Sequence, residues 1–167
     1  MSPPVLVANM CNVYLVSLIE DFFKRIMIGI LREERELVIS RRFASLSQSA
    51  VGRVRRRELD IEEAIAEGLS FQNAGQLRKN FADLRVGSVI AKFLGEPIAR
   101  RGSKTKLREE VLQDIFDRRH RLVHEAELDL LFLPADMARY VRLCDRMIQQ
   151  LYQRITADQK WPHEDPR

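Results

Sequence analysis

Tyr14-Leu15-Val16-Ser17-Leu18-Ile19-Glu20-Asp21-Phe22-Phe23-Lys24-Arg25-Ile26 is the stretch that decides the architecture. Leu15, Leu18, Ile19, Phe22, Phe23, Ile26 and, one turn on, Ile30 recur at helical spacing and make one apolar stripe. The pattern predicts a long core helix over residues 5 to 38. The rest of the composition agrees: seven glycines, six prolines and 7% aromatics are few, while Leu, Ile, Ala, Arg and Glu dominate, which favours helix over sheet. We therefore expect an all-α, up-down helical bundle of four to six helices. At 167 residues, one domain over 1–157 with a flexible tail over 158–167 is the natural division.

Between residues 40 and 60 the apolar pattern stops, and Arg41, Arg42, Arg53, Arg55, Arg56 and Arg57 stand among serines and glycine. This reads as a basic connection over 41–59. Asp60 is a good N-cap with Glu62 and Glu63 in the first turn, so a short helix should run to Glu67 and end at Gly68. Leu77, Phe81, Leu84, Val89, Ile90 and Phe93 support one or two more helices with a break at Gly87, and Gly95-Glu96-Pro97 closes that region. A polar, basic stretch (Arg100, Arg101, Lys104, Lys106) follows, with Ser103 or Thr105 available to cap the next helix. That helix, over 106–125, has Leu107, Val111, Leu112, Ile115, Phe116, Leu122 and Val123 as its inner arc. Residues 128–133 form an apolar link, and Pro134 suits the first turn of a last helix striped by Met137, Tyr140, Val141, Cys144, Met147, Ile148, Leu151 and Ile155.

The net charge of +4 is modest, but clustered arginines attract polyanions more than an even spread would. Nucleic acid is thus an expected class of partner. Cys11 and Cys144 are too few for a disulfide framework or a four-ligand zinc site, and they suit a reducing cytoplasm. The opening apolar segment lacks a basic leading region and carries Asn9, Asn12 and Ser17, against a signal peptide. Glu20, Asp21, Lys24 and Arg25 interrupt it, so a soluble protein without a membrane partner is expected.

Arg118-Arg119-His120-Arg121-Leu122-Val123-His124 concentrates two of the three histidines and three arginines near a helix end. Phosphodiester chemistry needs these residue types: imidazole exchanges protons near neutrality, and guanidinium offers a fork of donors to phosphate oxygens. Ordinary surface charge would instead pair Asp114 with Arg118 and Asp117 with Arg121, four residues apart. Arg119 does not fit that account, because at about 100° per residue it falls in the Leu107, Val111, Ile115 and Val123 arc and needs an anion or a wet cleft. His120 and His124 share a helix side with Asp117 one turn earlier, a spacing that would suit zinc, but no HExxH signature accompanies it and His163 lies in the tail. No metal or other cofactor is expected. Arg119 and His124, five positions apart, point about 140° from each other on a regular helix. Either the helix distorts near Leu122, or the arginine reaches around, or two chains bring their motifs together.

Arg119, then polar His120, then His124 after a short interval resembles the signature of the HEPN ribonucleases. Tyr14 to Glu20 in the opening helix, Asn80-Phe81 in the middle and Arg119 through Glu125 look like the RiboL-PSP-HEPN branch. The basic segment from Arg41 to Arg57 has no place in that pattern. The resemblance implies a dimer whose motifs face one shared cleft, with Arg119 and His124 as the catalytic pair and His120 as the adjacent polar residue. It implies metal-independent cleavage of RNA, the ribose 2′-hydroxyl attacking phosphorus to leave a 2′,3′-cyclic phosphate and a 5′-hydroxyl. His124 would be the general base or acid, Arg119 would hold the phosphate, and His120 would orient its neighbour or make the second proton transfer. Arg118 and Arg121 are candidate substrate-binding residues. Glu20 is a further one, able to pair with Arg119 or His124 across the bundle, or else to join Asp21 in pairing with Lys24 and Arg25. The resemblance also implies a toxin or effector of prokaryotic defence, or a toxin–antitoxin system with an antitoxin protein as partner. Two other readings stand beside it: a catalytically silent HEPN module binding RNA, nucleotide or a partner protein, and a structural helical subunit without ligand.

Overall fold

The axis of the protein is α1 (Pro3–Arg32), around which α4 (Ile61–Glu67), α7 (Arg108–His124) and α8 (Pro134–Gln159) pack. The computed structural model describes residues 2–98 and 105–159. Those residues form an all-α bundle that also contains α2 (Glu36–Ala44), α3 (Gln48–Arg55), α5 (Ala74–Phe81) and α6 (Gly87–Leu94). Two short strands, β1 (Pro97–Ile98) and β2 (Lys106–Leu107), pair antiparallel with Pro97 opposite Leu107 and Ile98 opposite Lys106. Thus eight helices appear among the described residues, where the sequence pattern indicated four to six.

Leu15, Val16, Ile19, Phe23, Ile26, Met27 and Ile30 of α1 are buried. Leu18, expected on the same stripe, is 67% exposed, and Tyr14 is 71% exposed. The buried face is rotated toward Asn9 and Asn12, both wholly enclosed. α1 also contains an 18-residue window with a mean hydropathy of 1.4, long and apolar enough to cross a membrane by length and composition, contrary to the expectation that charges break every such run. The helix stops at Arg32, earlier than residue 38: the Glu33 backbone N–H closes its last turn on Ile30, and α2 begins three residues on.

The segment 41–59, expected as a connection, forms the end of α2 and all of α3. These helices are short and arginine-rich; among the described residues Val38 and Ile39 of α2 and Leu46 in the link to α3 pack against the core, too few to show a period. Ser47 caps α3 by accepting from the Ala50 N–H at 3.2 Å. α4 ends at Gly68 as its sequence indicates, and Asp60 at its start donates its backbone N–H to Glu63 Oε2 at 3.1 Å. The helix carrying the histidines begins at Arg108, where Glu110 Oε2 accepts from the Leu107 N–H at 2.6 Å. Thr105 therefore does not cap it, and Ser103, Arg100, Arg101, Lys104 and His163 lie outside the described residues. Leu122 is half-buried and Val123 is 48% exposed, so α7 leaves the core one turn before its end.

The turn between α5 and α6 depends on Gly87. A Cβ there would come within 2.5 Å of the Phe81 carbonyl oxygen and 2.9 Å of that of Ala82, both fixed backbone atoms. Phe81 in turn meets Phe23 and Phe71, each at 6.2 Å between ring centroids. Gly87→Ala should lower unfolding stability by about 2–3 kcal/mol in urea denaturation. An unchanged midpoint would show that the turn can relax.

Candidate functional site

α7 is tied down at its start by a cluster around Glu96. The Glu96 carboxylate accepts from Arg154 Nη1 at 2.5 Å and from Arg108 Nη1 at 2.7 Å, and its carbonyl accepts the Arg108 N–H at 3.0 Å. The Arg108 guanidinium lies over the Phe93 ring, 4.0 Å from its centroid, and donates to Gln150 at 3.0 Å. The hydrogen bond from Arg154 is the chief reason that Glu96 sits below the ordinary carboxylate range, and the same bond raises Arg154. Burial lowers Arg108.

Further along, two buried amides of α1 hold α7 and the loop after it. Asn12 Nδ2 donates to the Ile115 carbonyl at 3.1 Å. Asn9 Nδ2 donates to the Asp129 carbonyl at 3.0 Å while its Oδ1 accepts the Asp129 N–H at 3.2 Å. The Asp129 carboxylate then binds Arg118 and accepts the Leu131 N–H at 3.0 Å. Arg118 lies over the Phe132 ring, 4.1 Å from its centroid. Arg118, expected as a substrate contact or as a surface partner of Asp114, is thus a mostly buried strut. Asp114 binds Lys106 instead, and Asp117 accepts from Gln113 at 2.7 Å, so neither expected i,i+4 pair forms.

The histidines stand at the free end. His120 and His124 are both exposed, with ring centroids 4.7 Å apart and planes tilted by 39°. His120 Nε2 is 3.8 Å from Glu125 Oε1. The chain turns sharply after them: Ala126 adopts a left-handed φ of 53°, and the Glu125 and Glu127 N–H groups both donate to the Arg121 carbonyl. Arg121 is exposed and makes no ion pair among the described residues. With Arg118, Glu127 and Asp129 it lines a recess of about 230 Å³.

Arg119 goes elsewhere. It is half-buried, and its Nη1 donates to Gln72 Oε1 at 2.9 Å, in the segment leading to α5. α7 is unbroken from Arg108 to His124, which removes the distortion near Leu122 that would have turned Arg119 toward His124. Within one chain, His120 and His124 come together and Arg119 is held on a different side. Glu20 joins neither: its Oε1 is buried without a hydrogen-bond partner, whereas neighbouring Asp21 accepts from Arg25 at 2.7 Å. Among the described residues no three His, Cys, Asp or Glu side chains gather as metal ligands.

Gln72, Asp129 and Phe132 were not legible as parts of this site. Asn9 and Asn12 carried a usable signal, being polar residues one turn apart in an otherwise apolar helix. The chain matches no family model, no characterised protein and no solved structure.

Two tests probe the scaffold. Glu96 titrates below its unfolded value, so its contribution to stability is complete above about pH 4.5 and is lost as pH falls through the lowered folded value. Glu96→Gln should therefore melt below wild type at pH 7, with the gap closing in acid; a constant gap down to pH 3 would refute the linkage. Asn9→Ala removes both bonds to the Asp129 backbone and should cost about 2–3 kcal/mol, with faster amide exchange at Asp129 and Leu131. Unchanged exchange there would show that Arg118 alone holds the loop.

Proposed function

We propose that the chain is a metal-independent ribonuclease of the HEPN type, with one cleft assembled from two copies. The observation that carries this reading is the pair of exposed imidazoles at the end of α7, beside Arg121 and within a turn of Arg119. In the reaction, one imidazole takes the proton of the ribose 2′-hydroxyl as that oxygen bonds to phosphorus. The P–O5′ bond breaks, and a protonated imidazole returns a proton to the leaving oxygen. Atoms and charge balance without any other reagent. Guanidinium groups stabilise the equatorial oxygens as charge develops on them.

The attacking and leaving oxygens lie roughly in line across phosphorus. Two rings stacked on one helix face approach from one side, so the second proton transfer falls to a histidine of the other copy. Arg119, turned toward Gln72, likewise serves better in a joint cleft than beside its own His124. Leu130, Leu131 and Leu133, exposed in the loop directly after the motif, supply apolar surface for a second copy to cover. A role as a toxin or effector, with an antitoxin as natural inhibitor, follows from the same reading.

Labelled single-stranded RNA tests it in the presence of a chelator. Wild type should release 2′,3′-cyclic phosphate ends, and His124→Ala and Arg119→Ala should each reduce the rate by about 10²–10³. Exchanging wild type with an equal amount of His124→Ala should leave about a quarter of the activity of the same total amount of wild type, and not about half, because only dimers of two wild-type chains keep an imidazole from each copy in the cleft. Binding without cleavage by wild type would favour the silent module instead. Loss of stability alone in Arg119→Ala would favour a structural subunit.

A further inference from the structure

The other end of α1 carries a feature that the ribonuclease reading does not use. Arg32 lies 3.7 Å from Asp60 there, and α2, α3 and α4 enclose a cavity of about 390 Å³. The cavity does not include the imidazoles, although its wall residue Leu69 stands three positions before Gln72, the partner of Arg119. Two arginines and one acid, Glu67, stand in its wall, and residues 32 to 67, which supply α2, α3 and α4, balance eight arginines against eight acids.

The walls combine two chemistries. Arg42 and Arg53 reach the cavity beside the hydroxyl of Ser49, while Leu46, Ile65 and Leu69 form an apolar side. Arg42 is fixed by the Asn80 carbonyl at 2.6 Å and by the Asp83 carboxylate, and its Nε–H is buried with no acceptor. That Nε is closed off even from solvent, so an occupant of the cavity would meet the rest of the Arg42 side chain and not this donor. Arg53 engages Glu67 through Nη1 at 2.7 Å, which leaves the other donors of its fork available. The volume exceeds what a lone phosphate fills and falls in the ~300–1,000 Å³ range of small-molecule sites.

The geometry points to a nucleoside phosphate as the occupant: the phosphate is gripped by Arg53 and Arg42, the base lies against Leu46, Ile65 and Leu69, and Glu67 accepts from a ribose hydroxyl. The same unit is presented by a free mononucleotide and by an RNA strand. This site is independent of the histidine chemistry and does not rest on it.

Isothermal titration of the full chain with each nucleoside 5′-monophosphate, and with a six-residue single-stranded RNA, tests the proposal. We expect saturable binding of mononucleotides, at least tenfold weaker in Arg53→Gln; the hexamer is titrated in His124→Ala, in which it is not cut, and its binding there should depend on Arg53 in the same way. Ser49→Asp provides a second variant: a carboxylate in the first turn of α3 suits the helix dipole, so melting should be preserved while phosphate is repelled. Arg53-dependent binding of mononucleotides identifies the free nucleotide as the source, and of the hexamer alone, the strand; either supports the site. Binding of neither probe, binding that Arg53→Gln and Ser49→Asp leave unchanged, inorganic phosphate binding as tightly as the nucleotides, or loss of nucleotide binding in His124→Ala would each overturn it.

Discussion

The buried carboxamide of Asn9 fixes the geometry on which the histidine end depends. An amide inside an apolar core is tolerated only when its donors and acceptor are matched, and Asn9 meets that condition by bonding both backbone groups of Asp129. Asp129 is thereby positioned to bind Arg118, and Arg118 to cover Phe132. One side chain of α1 thus sets where the loop after α7 lies, and with it how sharply the chain must turn after His124. The left-handed Ala126 is a consequence of that turn.

Elements whose signals are local were legible in the sequence. α4 announces itself through Asp60, Glu63 and Gly68, and α8 through Pro134 and a long stripe. α2 and α3 were not, because helices of nine and eight residues with arginines along them are too short for an apolar stripe to repeat. Their stability comes from packing on α4, a non-local fact. Leu18 and Val123 were misjudged for a related reason: periodicity gives the phase of a stripe to within a residue, and the neighbours decide which edge is covered. The candidate site shows the same division. The adjacency of His120 and His124 follows directly from their four-residue spacing, whereas the assignments of Arg118 to Asp129 and of Arg119 to Gln72 span 11 and 47 residues and have no local trace.

Three adjacent arginine roles illustrate how position on one helix turn separates structure from chemistry. Arg118 faces α1 and the loop, where burial demands an ion pair and an aromatic face. Arg119, about 100° around, faces the segment before α5 and meets a neutral amide, which leaves its charge uncompensated by any carboxylate among the described residues. Arg121 is in solvent. Only the last two are without a carboxylate partner among the described residues, so burial and ion pairing have already taken up one of the three arginines that the sequence groups together.

The distribution of charge also separates the two ends of the molecule. Arg41 and Arg55 of α2 and α3 lie in solvent, whereas Arg42 and Arg53 of the same helices stand in a cavity wall that the histidines do not share. Burial of the Arg42 guanidinium makes that arrangement costly: it removes a cation from water, and the Asp83 carboxylate and the Asn80 carbonyl satisfy it only in part. The bond from Arg42 to the Asn80 carbonyl supplies a donor to the last turn of α5, and the remaining donors of the guanidinium are where a ligand would have to act. The retention of an incompletely paired guanidinium at the wall of a cavity is therefore the physical argument for a ligand at this end, whatever the histidines do at the other.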